Sequence, residues 1–502
     1  MTFSVLSHRD ELGVKPGRLY IDGVWRDSAD GGRWTHVHPA TNEEVVDFVT
    51  ASAADVADAV GAARRAFDDG AWSRLAARDR RVLLQRLSQL IADHGDELDR
   101  LQTLDNGMPL SFSSIYQVSS TMAADVIDHH AGWVDKLAGQ TLPSYTGSEM
   151  FTLTLREPVG VVGAIIPWNA PLMLFAQKVG PALAAGCTMV MKPSEYASLT
   201  AFRLTELVEE AGIPAGVFNL VPGAGDPTGE ALITDPRVDK VTFTGSRNVG
   251  RHIMAACAER VARVSLELGG KSPNIVFPDV DLDQVAMAAM GMVSMGLSGQ
   301  GCVCHTRLLA HRSIYDDMVD KTAAMAAMSV VGDPFDSGTT SGPIINRRQT
   351  DRIMGLIEQG AEEGARLVVG GDRPGGDLAG GNFVNATLFA DVDNAMTIAR
   401  EEIFGPVLAV IPFDDEDEAI RLANDTDYGL GASVHTSDIR RALRVAKAVR
   451  SGTFGVNGYT VMPNAPFGGY KQSGIGREGG RDGIDVFLET KTVTIALTDS
   501  AF

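Results

Sequence analysis

Cysteine is scarce: Cys187, Cys257, Cys302 and Cys304 are the only four in 502 residues. So few in a long chain exclude a structural disulfide framework and point to reduced thiols, any one of which acts as a reagent if it acts at all. Basic residues are also short, 44 Lys and Arg against 64 Asp and Glu, and the formal charge of −20 repels phosphate backbones and anionic lipid. Nucleic-acid binding is therefore not expected. No run approaches the ~20 apolar residues of a membrane span. The start, Met1 to Asp10, has no apolar region behind a basic one, so a cytoplasmic location is expected. Internal repeats, low-complexity tracts and Pro/Ser-rich linkers are absent as well. What remains is 44% hydrophobic and 22% charged, ordinary globular usage in a length that suits about 2 to 4 domains.

Pattern changes mark the organisation. Ser52 with Asp55 opens a helix that places Val56, Ala59, Val60, Ala63 and Phe67 on one face, and Arg78 to Leu104 reads as further amphipathic helix. From Pro158 short Val/Ile-rich runs alternate with longer Ala/Leu-rich ones, as in a parallel sheet with crossover helices. Strands are expected at Val159–Ile166, Thr188–Met191, Val217–Val221, Lys240–Phe243 and Arg263–Leu266. Helices are expected near Leu172–Ala185, Thr200–Ala211, Thr228–Thr234 and Val249–Glu259. The alternation resumes with strands near Thr306–Ala310, Val407–Pro412, Ala432–His435 and Thr453–Val456 and a helix at Ser437–Val449, which predicts a second α/β unit. Gly139–Arg156 and Val486–Leu497 fit neither core, and exposed strand edges of that kind need a partner.

Ligands of open α/β sheets collect beyond the carboxyl ends of the strands. There the sequence reads Pro167-Trp168-Asn169, Lys192-Pro193-Ser194-Glu195, Pro222-Gly223-Ala224-Gly225, Thr244-Gly245-Ser246 and Glu267-Leu268-Gly269-Gly270. Thr244-Gly245-Ser246 leads from strand to helix, where a helix N-terminus offers amide donors to a phosphate, although glycines also serve tight turns for steric reasons alone. The standard Gly-x-Gly-x-x-Gly spacing is missing, so a dinucleotide site would be atypical. Lys192 and Glu195 stand where an adenosine ribose would lie, and a carboxylate there favours NAD over NADP; a solvated charge pair is the alternative. Cys302 sits in the glycine-flanked loop Gly299-Gln300-Gly301-Cys302-Val303-Cys304, whereas Cys187 and Cys257 read as inert core thiols. A thiol of ordinary pKa is a few per cent ionised at neutral pH, so a reactive Cys302 needs a depressed pKa or a nearby base. No metal site is expected, because Cys302, Cys304 and His305 lack a second Cys/His pair at zinc spacing.

With Glu401-Glu402-Ile403-Phe404-Gly405-Pro406 and Pro466-Phe467-Gly468-Gly469-Tyr470-Lys471-Gln472-Ser473-Gly474, these segments resemble the aldehyde dehydrogenase superfamily of the NAD(P)-dependent, hydrolytic, non-CoA-acylating kind. The resemblance runs from about Leu19 to Lys491. It implies an α/β fold of two doubly wound Rossmann-like domains with a small β oligomerisation flap. An NAD-binding domain is expected at 1–138 and 158–268, a catalytic domain at 269–483 and the oligomerisation segment at 139–157 and 484–502. The resemblance makes Cys302 the nucleophile, Glu267 the general base and Asn169 with the Cys302 backbone N–H the oxyanion hole, and it associates Lys178 and Glu478 with proton movement. NAD would be bound by Ile165, Ile166, Pro167, Trp168, Lys192, Ser194, Glu195, Gly225, Gly229, Phe243, Thr244, Gly245, Ser246, Val249, Leu268, Gly269, Glu402 and Phe404. Ala170, Met173, Gln177, Gly301, Val303 and Tyr459 would line a roomy aldehyde tunnel.

The activity so implied is oxidation of an aldehyde to the acid through a Cys302 thiohemiacetal and thioester, in a homodimer or homotetramer. The alternatives are a CoA-acylating semialdehyde dehydrogenase and a catalytically silent NAD-binding member. Glu267 disfavours the first, and Cys302, Glu267 and Asn169 together disfavour the second. One departure stands out: relatives often carry Phe-x-Asn-x-Gly-Gln ahead of the nucleophile, where this chain has Met295, Leu297 and Ser298.

Overall fold

The computed structural model describes residues 3–115, 117–145 and 150–497. Its centre is an eight-stranded sheet, five of whose strands are β1 (Val161–Ile165), β2 (Thr188–Lys192), β3 (Phe218–Leu220), β4 (Lys240–Thr244) and β5 (Arg263–Glu267). They lie in the order β5-β4-β1-β2-β3 and all run parallel. Every residue of β1, β2 and β4 is buried, as in a sheet covered on both faces; β1 is an unbroken apolar run, whereas β4 alternates and buries Lys240, Thr242 and Thr244. Alternation divides β1 between the two covers. Val162 and Ala164 join a core with the helices of 77–131 and α1 (Pro171–Ala185), while Val161 and Ile165 join the core under the Ala53–Asp68 helix. α1 begins with Pro171 in its first turn and ends on Gly186 at φ +97°, a left-handed cap that glycine adopts without strain. α2 (Leu199–Glu210) and α3 (Arg247–Ala258) complete the crossovers.

Chain order jumps from one side of β1 to the other between β3 and β4, so the carboxyl ends of β1, β2, β4 and β5 share one rim with a switch point at β1. Register aligns Ile165 with Lys192 and Thr244 with Glu267 along that rim. A second, seven-stranded sheet includes β6 (Pro273–Val276), β7 (Arg307–His311), β8 (Val407–Phe413) and β9 (Ser433–His435), again mutually parallel. The expected α/β architecture with doubly wound sheets is therefore present.

Several boundaries differ from expectation. Arg78 to Leu104 is two helices, Ala77–Asp93 and Gly95–Asn106, because the chain turns at His94 (φ −99°, ψ 19°), whose ring bonds Glu97 at 2.9 Å. The helix expected from Thr228 starts at Glu230, after an irregular turn at Gly225–Gly229. The orphan segments are partners: Leu488–Ala496 pairs antiparallel with Met150–Pro158 along its whole length, and Thr141–Leu142 flanks it. The tail strand thus starts at Leu488 instead of Val486, and residues 146–149 and 498–502 of these segments lie outside the described residues.

Candidate active site

Cys302 lies on a loop held from several directions. The Gln300 side chain donates to the carbonyls of Leu297 and Pro343, both at 3.0 Å, and accepts from the Ile345 N–H at 3.0 Å. Ser298, at φ +52°, bonds the Gly342 carbonyl at 2.7 Å and Ser341 Oγ at 3.1 Å. The loop that departs from the expected Phe-x-Asn pattern therefore has its own supports. Asn169 Nδ2 donates to the Gln300 carbonyl at 2.9 Å, which spends one amide hydrogen and fixes the other beside the nucleophile loop. Asn106 in turn secures the Trp168 and Asn169 carbonyls at 3.1 and 3.2 Å. The Cys302 N–H takes no backbone partner among the described residues.

Glu267 ends β5 at 4% exposure, and its Oε2 has no hydrogen-bond partner among the described residues. Three residues on, Gly270 packs so closely on the Cys302 carbonyl that a Cβ would overlap it, which brings the strand end against the loop. Desolvation first, then the neighbouring Glu478 charge, raise the Glu267 pKa well above the usual carboxyl range. The Cys302 thiol is also pushed upward, by burial and then by the carboxyls of Glu402 and Glu267. Of the two conditions set for a reactive thiol, a depressed pKa or a nearby base, the first is absent and carboxyls stand near the sulfur. A thiol so placed must hand its proton to a base, and these carboxyls are the groups whose charges it feels. Behind Glu267 the fully buried Lys178 on α1 forms an ion pair with Glu478.

The rim carries the remaining positions. Lys192, 4% exposed, donates from Nζ to the Pro193 and Gly223 carbonyls and lies 3.6 Å from Glu195, so the solvated-pair alternative is overturned for the lysine. Ser194 accepts from the Tyr196 N–H at 3.3 Å, and Ile166 donates to the Lys192 carbonyl at 3.1 Å. The glycines divide by cause. A side chain at Gly245 would strike the Phe243 ring, a steric demand internal to the protein, whereas Gly225 faces open space and Gly229 meets the Lys192 stem at 3.6 Å and the Ala224 carbonyl at 3.8 Å, both ordinary contacts. Glycine at 225 leaves room for a ligand to approach the backbone. Thr244 Oγ1 is buried without a partner among the described residues, and Ser246 caps α3 with no side-chain hydrogen bond, so a hydroxyl and helix amides remain available. Val249, one turn into α3, is 46% exposed, while Leu268 is buried.

Glu402 closes the rim from the second sheet. Its carboxylate accepts from the Gly270 N–H at 3.0 Å and occupies the space that a Cβ on Gly269 would fill. Burial brings its pKa up to about 7. Arg352 donates to the Glu402 and Ile403 carbonyls at 2.8 Å, and Phe404, at φ +58°, meets the Trp168 ring edge-on at 5.5 Å, beside Ile165 and Pro167 at the end of β1. Unpartnered hydroxyls, exposed helix amides, an open glycine and buried charges together suit a ligand bearing ribose and phosphate groups.

Met173 and Gln177 line a small cleft with Met122, Val126, Met462 and Phe467. Ala170 is buried at the start of α1 and lies outside that lining, as do Gly301, Val303 and Tyr459. Tyr459 instead stands by the thiols of Cys302 and Cys304, its hydroxyl 2.6 Å from Thr453 Oγ1. A cavity of about 480 Å³ between residues 12–18, Trp25 and α2 contains none of the predicted site residues. Among the described residues no three His, Cys, Asp or Glu side chains gather as a metal would need. Sequence reasoning missed Asn106, Arg352 and the Met122, Val126, Met462 and Phe467 walls. Only the polar Gln300 between two loop glycines gave a readable hint of its anchoring role.

Site and fold define a chain that belongs to the aldehyde dehydrogenase family, whose model matches residues 25–493. It is 45% identical to an aldehyde dehydrogenase of Enchytraeus buchholzi, over 97% of each chain. It is 42% identical to aldehyde dehydrogenase, cytosolic 1, of Rattus norvegicus, over 97% of this chain and 96% of that one. Among solved structures it resembles betaine aldehyde dehydrogenase from Staphylococcus aureus in complex with NAD+, with TM-score 0.95, 37% identity and 99% of each chain covered. The NAD+ complex of an aldehyde dehydrogenase from Bacillus cereus matches with TM-score 0.94 and 39% identity, over 98% of this chain and 99% of that one.

Proposed function

We propose that this protein oxidises an aldehyde to its carboxylic acid with NAD, through a thioester on Cys302 that water hydrolyses. The observation that carries the reading is the convergence on one loop: Asn169 bonded to the carbonyl two residues before Cys302, and the strand end of Glu267 packed on the Cys302 carbonyl.

Cys302 adds to the aldehyde carbon and its proton leaves to a neighbouring carboxylate. The free Asn169 amide hydrogen and the Cys302 N–H donate to the oxygen that becomes anionic, and one such donor is worth roughly 3 kcal/mol of barrier. Lys192 and Glu195 would hold the adenosine ribose, Gly245 and Ser246 the phosphates, and Glu402 with Phe404 the nicotinamide side. When bound, NAD supplies the hydride acceptor. Glu267, once ionised, takes a proton from water as the water oxygen attacks the thioester carbon and the C–S bond breaks. Glu478, held by the Lys178 ammonium, takes up that proton and restores the base. The Glu195 carboxylate beside the ribose position favours NAD over NADP.

In this reading 1–138 with 158–268 bind NAD, 269–483 carry the nucleophile, and 139–157 with 484–502 join copies of the chain into a dimer or tetramer. The substrate is a medium or bulky, largely uncharged aldehyde, because small residues, Ala170, Gly301 and Val303, stand at tunnel positions and the cleft beside Gln177 and His130 is walled mainly by Met122, Val126, Met462 and Phe467. NADH absorbance with a panel of aldehydes, with and without CoA, tests the proposal. Acid formation independent of CoA and faster with longer or aromatic aldehydes than with acetaldehyde is expected. Acyl-CoA as product, or no NADH despite NAD binding, overturns it.

A further inference from the structure

The cleft beside α1 holds two polar side chains that the scheme above leaves unused, His130 and Gln177. His130 stands in the last turn of the Ser120–Ala131 helix and is completely buried. Its Nδ1 lies 2.7 Å from the Val126 carbonyl, and a carbonyl can only accept, so Nδ1 carries the ring hydrogen. Burial brings His130 down to about 4, and the ring is neutral at pH 7. Its Nε2 is then a bare acceptor, without a partner among the described residues. The adjoining His129 ring, edge-on at 5.1 Å, has its own Nε2 taken by the Trp133 indole N–H at 3.2 Å.

Two contacts orient the His130 ring. Val126 holds Nδ1, and Gly180 of α1 packs so closely that a Cβ there would stand 3.1 Å from Nδ1 and 3.4 Å from Cγ. That edge is spent on the two helices, and because the ring also lines the cleft, Nε2 is the polar atom it can present there. Gln177 and Gly180 are three residues apart on α1, so the amide lies on the helix face that meets His130. Gln177 is 7% exposed and makes no side-chain hydrogen bond among the described residues. It stands six residues past Pro171, about 9 Å along the axis, and its side chain leans back toward the helix start. An acceptor and an amide therefore face one space some way beyond Asn169.

The remaining walls limit what can enter. Met122, Val126, Met173, Met462 and Phe467 are apolar, and no Asp, Glu, Lys or Arg lines the cleft among the described residues. A carboxylate or ammonium there would be stripped of water with no counter-charge. A plain alkyl end would leave the buried Nε2 without a donor. A hydroxyl meets both conditions, donating its hydrogen to His130 Nε2 and accepting from the Gln177 amide. We propose that the aldehyde carries a neutral hydroxyl several carbons from its carbonyl, and that His130 and Gln177 are the specificity-determining residues that bind it. The proposal deepens, and rests on, the reading of this cleft as the distal part of the aldehyde site.

The test measures kcat/KM with NAD for ω-hydroxyaldehydes of about six to nine carbons, each against the n-alkanal and the methoxyaldehyde of equal heavy-atom count. Unmodified enzyme, H130F and Q177M are compared. The unmodified enzyme is expected to prefer the hydroxyaldehyde of best length over both isosteres by about tenfold or more. H130F should lower that ratio about tenfold and Q177M about threefold or more, and any general loss of activity cancels in the ratio. An unmodified enzyme that takes the alkanal as readily at every length overturns the proposal and assigns the His130 acceptor to solvent. A methoxyaldehyde as good as the hydroxyaldehyde overturns it too, since the donor hydrogen is then not read. So does a ratio left unchanged by H130F or, should H130F not fold, by Q177M. No NADH from any aldehyde, plain or hydroxylated, overturns the underlying functional reading instead, so the two failures are distinct.

Discussion

At Cys302 reactivity is not stored in a ready thiolate. Burial, then the carboxyls of Glu402 and Glu267, and after them the Cys304 thiol and Glu478, hold the proton on sulfur, and the side chain becomes a nucleophile only as that proton moves away. The same burial keeps Glu267 protonated at a pH where a free glutamate has ionised. The sign follows directly: the folded-state pKa is raised, the base form appears as pH rises, and the hydrolysis rate should climb through a pH range well above that of an ordinary carboxyl. Asn169 is tied to the loop by one hydrogen and offers the other. Asn169→Ala should slow the formation of NADH in the burst about a hundredfold with little change in NAD affinity. Stopped-flow absorbance checks this, and a full-sized burst at the normal rate removes Asn169 from the oxyanion site.

Among the elements, the rim formed by β1, β2, β4 and β5 was legible because buried parallel strands are written as short apolar runs and their ends as glycine, proline and charge. The short strands Leu19–Ile21, Val24–Arg26 and Pro273–Val276 were not, since they stand outside the repeated alternation of apolar runs and helices in which the equally short Phe218–Leu220 and Ser433–His435 could be read. Nor was the break at His94, where the apolar stripe runs on through Leu98, Leu101 and Leu104 although the helix axis does not. The meeting of Glu402 with Gly269 and Gly270 joins residues more than 130 positions apart and could be placed only through the resemblance. It makes a local prediction: Gly269→Ala puts a methyl where the Glu402 carboxylate sits, so that carboxylate must move. NAD affinity by fluorescence titration should fall about tenfold or more while the melting temperature changes little, a difference of about 1.4 kcal/mol or more in binding. Unchanged affinity would mean that Glu402 takes no part in holding the cofactor.

Across the whole molecule, two sheets converge on one loop and a third stands apart from it. The first presents Glu267 and the rim, the second brings Glu402 across to it, and the third pairs 488–496 with 150–158. The sequence pattern predicted a partner for those two orphan strands without naming it, since pairing between residues more than 300 positions apart leaves no trace in local periodicity. Everything converges on covalent chemistry at one sulfur. The direct measurement is to mix Glu267→Gln protein with NAD and an aldehyde, quench in acid after the burst, and weigh the peptides. The account predicts the acyl group of that aldehyde, in nearly stoichiometric amount, on the peptide sulfur of Cys302. An NADH burst with no acyl mass there, or with the mass on Cys304 instead, contradicts it.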